Sequence, residues 1–246
     1  MTNSEFSNEF DILYNNITSN QAPGLDKYEK SVFLTKAQED IVLAYYTGKN
    51  ESGDYFEGSE EVRQYLHTLI REYKYINPIK AGNYNTLIGI SSKSKFFFLD
   101  LDHEGSIEYD EIIAILAEYV KVEGEKKVKV VPITTDEFLR IENNPFRGPS
   151  KSRVLKLDNS ISSNHGDDTH YIGRVSELVT DHNISEYIIR VLIKPTPIIL
   201  ETLSGDLSIN GKQEETECML HSFLHRKILD RAVLLAKASF ASNPGQ

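Results

Sequence analysis

The chain has 246 residues, of which 39% are hydrophobic and 26% charged, a composition that is typical of soluble globular proteins and excludes collagen and disorder. Its 27 basic and 37 acidic residues leave a formal charge of −10, which disfavours a protein that reads DNA sequence through a basic face. The single cysteine, Cys218, cannot form an internal disulfide, and no apolar run reaches the roughly 18 residues of a membrane helix, so a soluble protein in a reducing compartment is expected.

The first third of the chain predicts three helices. Each begins at a residue whose side chain can cap a helix and continues with apolar residues at helical spacing. The predicted N-caps are Ser4, Asp26 and Ser59. We expect the first helix to end before Pro23 and the second near Tyr46, while the apolar positions of the third continue to Tyr73.

The middle of the chain predicts strands, because its apolar runs are short, β-branched or aromatic, and separated by turn residues. The clearest candidates are 96–101, 128–133, 153–157, 171–179 and 187–193. The segment 113–122 suits a helix as well as a strand, and a short helix is expected from Thr135. The polar residues 159–170 predict a long loop or arm that becomes ordered against a partner.

The chain closes with a strong helical pattern from about Ser222 to Ser239. Together these elements predict an α+β fold in which the N- and C-terminal helices form a bundle beside a central antiparallel β region. The expected parts are a helical segment 1–86, a β-rich segment 87–200, and a segment 201–246 whose helix returns to the helical part, all within one continuous structural unit.

An acidic string follows the predicted strand at 96–101. Asp100, Asp102, Glu104 and Glu111, together with Gly105, match the ligand and glycine positions of a twelve-residue calcium loop. An EF-hand loop is entered by a helix, whereas the preceding residues Lys95–Leu99 predict a strand. An acidic turn is therefore the favoured interpretation, and a calcium-binding module remains an alternative.

A second group of residues has part of a zinc-binding pattern. Cys218, His221 and His225 could supply three ligands near the start of the last helix, and His165 and His170 could be recruited from the polar loop. A fourth ligand is not evident, so packing and capping roles are favoured over a metal-dependent enzyme. The sequence has no phosphate-binding loop, nucleophile elbow or His-Glu-x-x-His motif, and we expect neither catalysis nor a cofactor.

Two proline-containing segments are candidates for subunit contacts. Pro145, Phe146, Arg147 and Arg153 lie in a segment whose prolines restrict the backbone before binding, and aromatic and arginine side chains are favoured at interfaces. A rigid surface loop without a partner is an equally good interpretation. Pro195 and Pro197 lie in a second extended segment, which suits either an edge that contacts a neighbour or an ordinary strand exit towards the last helix.

Several sequence segments spread along the chain resemble a virion structural protein of crAss-like bacteriophages. They are residues 9–16, 22–25, 28–39, 144–147, 194–200, 217–218 and 224–233. The helical opening is also similar to the head-to-tail adaptor and ring proteins of tailed phages. None of these segments contains a catalytic motif, and the acidic string and the polar loop lie outside them.

The resemblance implies a structural subunit of the phage neck or tail barrel, which assembles into a ring, expected to be a dodecamer. Its expected partners are further copies of itself, the portal protein or neighbouring rings, and genomic DNA that passes through without sequence-specific binding. The implied location is the virion, with the host cytoplasm during assembly. An internal virion cargo component is the alternative within the same particle.

Overall fold

The computed structural model describes residues 1–15, 24–76, 89–98, 112–122, 126–144, 146–150, 152–164 and 170–242. The chain divides into two compact units: a helical unit, residues 1–69 with 194–246, and a sheet unit, residues 70–193. The helices and strands together confirm the α+β fold class. None of the described helices combines the length and apolarity needed to cross a membrane.

The described residues contain five α-helices and one short 3-10 helix. They are α1 (Asn3–Asn15), α2 (Lys27–Thr47), α3 (Glu60–Tyr65), the 3-10 helix (His67–Leu69), α4 (Thr135–Ile141) and α5 (Ser222–Ser242). In the helical unit, α1, α2 and α5 pack on one another. The last of these buries its predicted apolar side, including Leu224, Ile228 and Ala232.

Helix starts are confirmed at two of the three predicted caps. Asp26 and Glu29 form a reciprocal capping box on α2, and the Ser59 hydroxyl accepts a hydrogen bond in the first turn of α3. The prediction of Ser4 as the first cap is wrong, because α1 already begins at Asn3. Thr2 takes that role: its hydroxyl accepts from the Glu5 amide at 3.3 Å while the Glu5 carboxylate accepts from the Thr2 amide at 2.8 Å.

Seven strands form one sheet in the order β1-β7-β3-β4-β5-β6-β2. The strands are β1 (Ile70–Ile76), β2 (Ser94–Phe98), β3 (Ile112–Val122), β4 (Lys126–Pro132), β5 (Arg153–Asn164), β6 (His170–Val179) and β7 (Ile184–Ile193). Every neighbouring pair is antiparallel except β4 and β5. The parallel pair arises because the connection from β4 to β5 contains α4 and is long enough to cross over the sheet.

The sheet encloses most of its own core. Phe97 on β2 lies 5.2 Å from Tyr187 on β7, measured between ring centroids, although five strand pairings separate these two strands in the sheet order. The sheet therefore curls around an apolar interior to which Val154 and Leu178 also belong. Their chain neighbours Leu155 and Val179 point to the opposite face and pack against Phe138 of α4, as the two-residue period of a strand requires.

The structure decides two predictions about helix and strand assignment. The third helix was expected to continue to Tyr73, but α3 ends at Tyr65 and Tyr73 lies on β1. The alternation of Tyr73 and Tyr75, which pack against the sheet core, with charged neighbours prevails over the helical spacing. The ambiguous segment 113–122 belongs to β3.

The prediction of a loop or arm over residues 159–170 is wrong for most of its length. Residues 159–164 continue β5, and His170 begins β6. The two strands pair in antiparallel register from Leu155 with Val179 as far as Asn164 with His170. The polar Ser and Asn residues adopt strand structure there because the partner strand satisfies their backbone groups, which outweighs their turn preference.

Candidate subunit-interface site

The most exposed large apolar side chain among the described residues belongs to Phe146. It is 87% exposed and lies in the Phe146 loop, residues 143–150, between α4 and β5. An isolated exposed phenylalanine in a disordered loop would need no explanation. This loop is instead held by several hydrogen bonds, so the aromatic ring is presented to solvent on a preorganised backbone.

Asn144 supplies the first of these restraints. Its side-chain oxygen accepts hydrogen bonds from the Phe146 amide at 2.9 Å and the Arg147 amide at 3.2 Å, which is the Asx-turn geometry. Its carbonyl oxygen accepts from the Gly148 amide at 2.8 Å. A Cβ at Gly148 would lie within 2.8 to 3.1 Å of three carbonyl oxygens, so only glycine permits this close return of the chain.

Arg153 restrains the far side of the loop. Its guanidinium donates to the Phe146 carbonyl, and its backbone exchanges hydrogen bonds of 3.1 and 3.2 Å with Ser150. The structure therefore places Phe146 and Arg147 in the Phe146 loop and ties that loop to Arg153 at the start of β5. Pro145 lies outside the described residues.

The second proline segment contacts α2 of its own chain. Pro195 and Pro197 are buried, and the backbone around them bonds to three buried polar side chains of α2. Gln38 donates to the Thr196 carbonyl at 2.8 Å, Thr35 accepts from the Ile198 amide at 3.1 Å, and Ser31 accepts from the Leu200 amide at 3.0 Å. Because proline has no amide hydrogen for a sheet ladder, helix side chains supply the partners, and the Phe146 loop is left as the exposed candidate.

Sequence reasoning missed a second exposed feature, the acidic hairpin, residues 199–217. Ile199 and Thr216 exchange backbone hydrogen bonds of 3.1 Å at its base, and Ile209 and Lys212 exchange bonds of 2.9 and 3.0 Å at its tip. Asn210 and Gly211 form the turn with φ values of 49° and 75°. An Asn-Gly pair between alternating residues is a strong hairpin signal, and this signal could have located the feature.

The acidic string from Asp100 to Glu111 lies outside the described residues. Its flanks are described, and both are strands: β2 ends at Phe98 and β3 begins at Ile112. The predicted strand character before the string is thus confirmed for residues 95–98. A calcium loop of the EF-hand type is flanked by helices on both sides, and neither flank has that structure here.

Cys218, His221 and His225 make separate contacts in the helical unit. The Cys218 thiol donates to Gln38 at 3.2 Å, and burial raises its pKa to about 11. The ring of His221 packs on Tyr65, while buried His225 places Nε2 2.9 Å from the Leu220 carbonyl and Nδ1 2.6 Å from the Met1 amino group. Burial lowers the pKa of His225. No metal-binding group of three such side chains occurs among the described residues, and His165 lies outside them.

Comparison with known protein families gives a match along the whole of this chain. The sequence model of a family described as phage tail ring protein 3/4 matches residues 1–246 of this chain. The chain belongs to the phage tail ring protein 3/4 family. The resemblance to virion structural proteins of crAss-like bacteriophages is thereby confirmed.

Two curated relatives of this chain come from Bacteroides phage crAss001. "Ring protein 3" is 39% identical over 237 residues, which cover 96% of this chain and 95% of the relative. "Ring protein 4/5" is 35% identical over 250 residues, which cover 98% and 94% of the two chains. A ring protein of this kind is a structural protein of the phage virion.

Proposed function

We propose that this chain is a ring-forming subunit of the head-to-tail connector or tail barrel, which joins the portal region to the tail and frames the DNA channel. The observation that carries the proposal is the family match along residues 1–246, with two ring proteins of one phage as near-full-length relatives. The work of such a subunit is assembly and geometry, and it requires no catalytic group or cofactor.

A closed ring built from one kind of subunit repeats a head-to-tail contact, and each copy must therefore carry two different, complementary surfaces. In the proposed ring of twelve copies, the Phe146 loop supplies one of these surfaces. Its hydrogen-bonded backbone supports this role because a loop that is ordered before binding loses little conformational entropy on assembly. The portal protein or adjoining rings are the proposed partners at the two ends of the ring.

The charge of the chain supports a channel that DNA passes through without being held. Each copy carries a formal charge of −10, and a ring multiplies this charge around its axis. Like charges repel the phosphate backbone, whereas DNA-binding proteins neutralise phosphates with lysine and arginine. We place the finished ring in the neck or tail of the virion and its assembly in the host cytoplasm.

Electron microscopy of the purified protein tests the proposal. The protein is imaged in negative stain alone and after mixing with the portal protein of its own phage, and closed rings are scored for rotational symmetry. We expect rings in at least one sample, with twelvefold symmetry. Monomers in both samples, or a copy number in purified virions that does not match a ring, would contradict the proposal and favour an internal virion component.

A further inference from the structure

The outer face of the sheet carries a group of basic side chains that we call the lysine face. In the register of β3 and β4, Lys127 lies opposite Lys121 and Lys129 lies opposite Tyr119, and through β7 the row of Tyr119 continues to Lys74 on β1. Directly opposed residues of antiparallel strands point to the same face. The alternate residues of these strands fill the enclosed core, so the lysine face is the outer one. Its charged members are Glu72, Lys74, Lys121, Lys127, Lys129, Glu186 and Arg190.

Positive charge prevails on the lysine face, which has five basic side chains and two carboxylates. Lys121 Nζ lies 2.8 Å from Glu186, and the Tyr119 hydroxyl donates to Glu72 at 3.4 Å. The other four basic side chains are exposed and form no ion pair with a residue that the structure describes: Lys74, Lys127, Lys129 and Arg190. This positive surface occurs in a chain whose formal charge is −10, so basic residues are concentrated here.

Tyr119 organises the centre of the lysine face. Its side chain spans β7 to reach Glu72 on β1, and the Lys127 Nζ lies 4.9 Å from the centroid of its ring. A cation over an aromatic ring is attracted to the ring face, which restrains the lysine without neutralising it. The basic groups are thus presented from paired strands, and little conformational entropy is lost when a partner binds them.

The lysine face borders the Phe146 loop. Lys129 is the register partner of Arg153 on β5, and the Arg153 guanidinium donates to the Phe146 carbonyl. Residues 140–150 add two exposed arginines and one exposed carboxylate, which are Arg140, Arg147 and Glu142. The other carboxylates of α4, Asp136 and Glu137, lie in its first turn, which follows the end of β4, whereas Lys127 lies near the start of that strand. The loop and the lysine face therefore form one continuous surface in which positive charge prevails.

The acidic hairpin of the helical unit has the opposite charge. Between residues 199 and 217 it contains five acidic side chains and one lysine. Glu201 is held by Lys27 in an exposed ion pair of 2.6 Å. Three of the others are exposed and form no ion pair with a residue of the described ranges: Asp206, Glu214 and Glu217. Leu207, next to Asp206, is 44% exposed and adds an apolar contact.

Hydrogen bonds hold the acidic hairpin in shape. The Leu203 amide donates to the Gln213 carbonyl at 2.8 Å across it. At its base, the buried Asn3 side chain of α1 donates to the Ile199 carbonyl at 3.1 Å and to Glu215 at 3.0 Å. The hairpin therefore presents its free carboxylates from an ordered backbone, as the sheet presents the lysines.

Both surfaces occur once in every copy of the chain, as the two sides of a head-to-tail ring contact require. We propose that the acidic hairpin of one copy docks on the lysine face of the next copy, with its free carboxylates against the exposed lysines. This inference rests on the proposed ring function and names the two surfaces that meet between neighbouring copies. Opposite charges on two different surfaces favour the head-to-tail contact over contacts between like surfaces, because like charges repel.

Charge reversal on each side separately tests the pairing. The variant Lys74→Glu/Lys127→Glu/Lys129→Glu makes both surfaces negative, and the variant Asp206→Lys/Glu214→Lys/Glu217→Lys makes both positive. Each variant alone is expected to raise the protein concentration at which rings appear by at least about tenfold, with the portal protein present if the wild type requires it. In an equal mixture, every contact between unlike copies is complementary, and sedimentation is expected to show association that neither variant shows alone.

Combining all six substitutions in one chain restores complementarity within a single protein and is expected to restore rings without mixing. The matched control is Lys49→Glu/Arg63→Glu/Lys93→Glu, which reverses three exposed basic residues outside both surfaces and changes the net charge as much as the lysine-face variant does. Its rings are expected at the wild-type concentration. Far-UV circular dichroism and thermal unfolding identify any variant that fails to fold. The neutral variants Lys74→Gln/Lys127→Gln/Lys129→Gln and Asp206→Asn/Glu214→Gln/Glu217→Gln then replace the reversed ones, with weakened ring formation as the expected result.

The outcomes separate this inference from the function on which it rests. Wild-type rings together with unchanged assembly of the charge-reversed variants would overturn the pairing and leave the ring function intact. In that case, loss of binding to a fluorescent DNA duplex in the lysine-face variant would assign the face to phosphate groups instead. Rescue in the combined chain without association in the mixture would show that the surfaces pair within one copy, which also overturns the proposal, and so would the absence of any rescue. Absence of wild-type rings, with and without the portal protein, would overturn the proposed function and this inference with it.

Discussion

An ion pair in the interior of the curled sheet offers a sharp test of how the sheet unit is stabilised. The Lys156 Nζ lies 2.6 Å from Glu118 Oε1, and the same oxygen accepts a hydrogen bond of 2.6 Å from the Tyr187 hydroxyl. The side chains of Lys156 and Glu118 are 1% and 6% exposed. Asp158 Oδ1 lies 3.2 Å from Lys156 Nζ, but the Asp158 side chain is 43% exposed. Because it remains hydrated, this second ion pair contributes little to the free energy of unfolding.

Replacement of Lys156 by Met keeps the length of the side chain and removes its charge. The Glu118 carboxylate then stays buried without its ion-pair partner and keeps the hydrogen bond from the Tyr187 hydroxyl, so we expect the free energy of unfolding to fall by about 3–5 kcal/mol. The double variant Lys156→Met/Glu118→Gln has no buried charge and still offers Tyr187 an acceptor. Because replacing both charges of a buried pair is often close to neutral, its expected loss is about 0–2 kcal/mol.

Urea denaturation followed by circular dichroism measures both variants, and Glu118→Gln completes the double-mutant cycle. Hydrogen exchange at the amides of β3 and β5 assigns the change to the sheet unit. A loss below about 1 kcal/mol for Lys156→Met would refute the reasoning. A double variant as unstable as the sum of the single variants would refute it as well, because the two charges would then act independently.

Three further predictions concern the candidate interface and the helical unit. Phe146→Ala is expected to leave the melting temperature unchanged, because this side chain is 87% exposed, and to raise the protein concentration needed for assembly into rings at least about tenfold. Ile12→Ala, at a 59% exposed position, is the control. Equal assembly of the two variants would count against the loop. Burial raises the pKa of Cys218 to about 11, so we expect this thiol to react with Ellman's reagent at pH 8 far more slowly in the folded protein than in guanidinium; similar rates would contradict this. Burial lowers the pKa of His225, so the unfolded chain binds the proton more tightly and stability present above about pH 6.5 is lost as the pH falls below it. Between pH 7.5 and 5.5 the melting temperature of the wild type should therefore fall more than that of His225→Gln, and equal slopes would show that His225 does not cause the loss.

Helices and strands could be predicted where the sequence pattern that specifies them spans only a few neighbouring residues. Asp26 and Ser59 cap their helices because the bonds of a cap span only three residues, and the apolar side of α5 follows from helical spacing alone. Five strands were recognised from short apolar runs. The start of α1 and the end of α3 were predicted incorrectly because two local patterns competed at each place.

The candidate interface was predictable in part. Phe146, Arg147 and Arg153 were chosen as interface candidates from residue type and the nearby prolines, and their role stays a prediction; the structure adds the bonds from Asn144 and the close packing at Gly148. Pro195 and Pro197 looked equally suitable in sequence. Their burial depends on Ser31, Thr35 and Gln38, which lie more than 150 positions earlier in the chain, so no pattern near the prolines could reveal it.

The sequence by itself determined the fold class, the main helices and five of the strands. It also determined the family, through characteristic segments spread along the chain. Those properties depend on periodicity, capping and residue type, which act over a few neighbouring residues. The tertiary structure alone decided that β4 and β5 run parallel, that residues 159–164 extend a strand, and that Lys156 meets Glu118 inside the curled sheet. These features depend on partners distant in the chain, because a backbone group or a buried charge takes the environment that satisfies it, whatever its local preference.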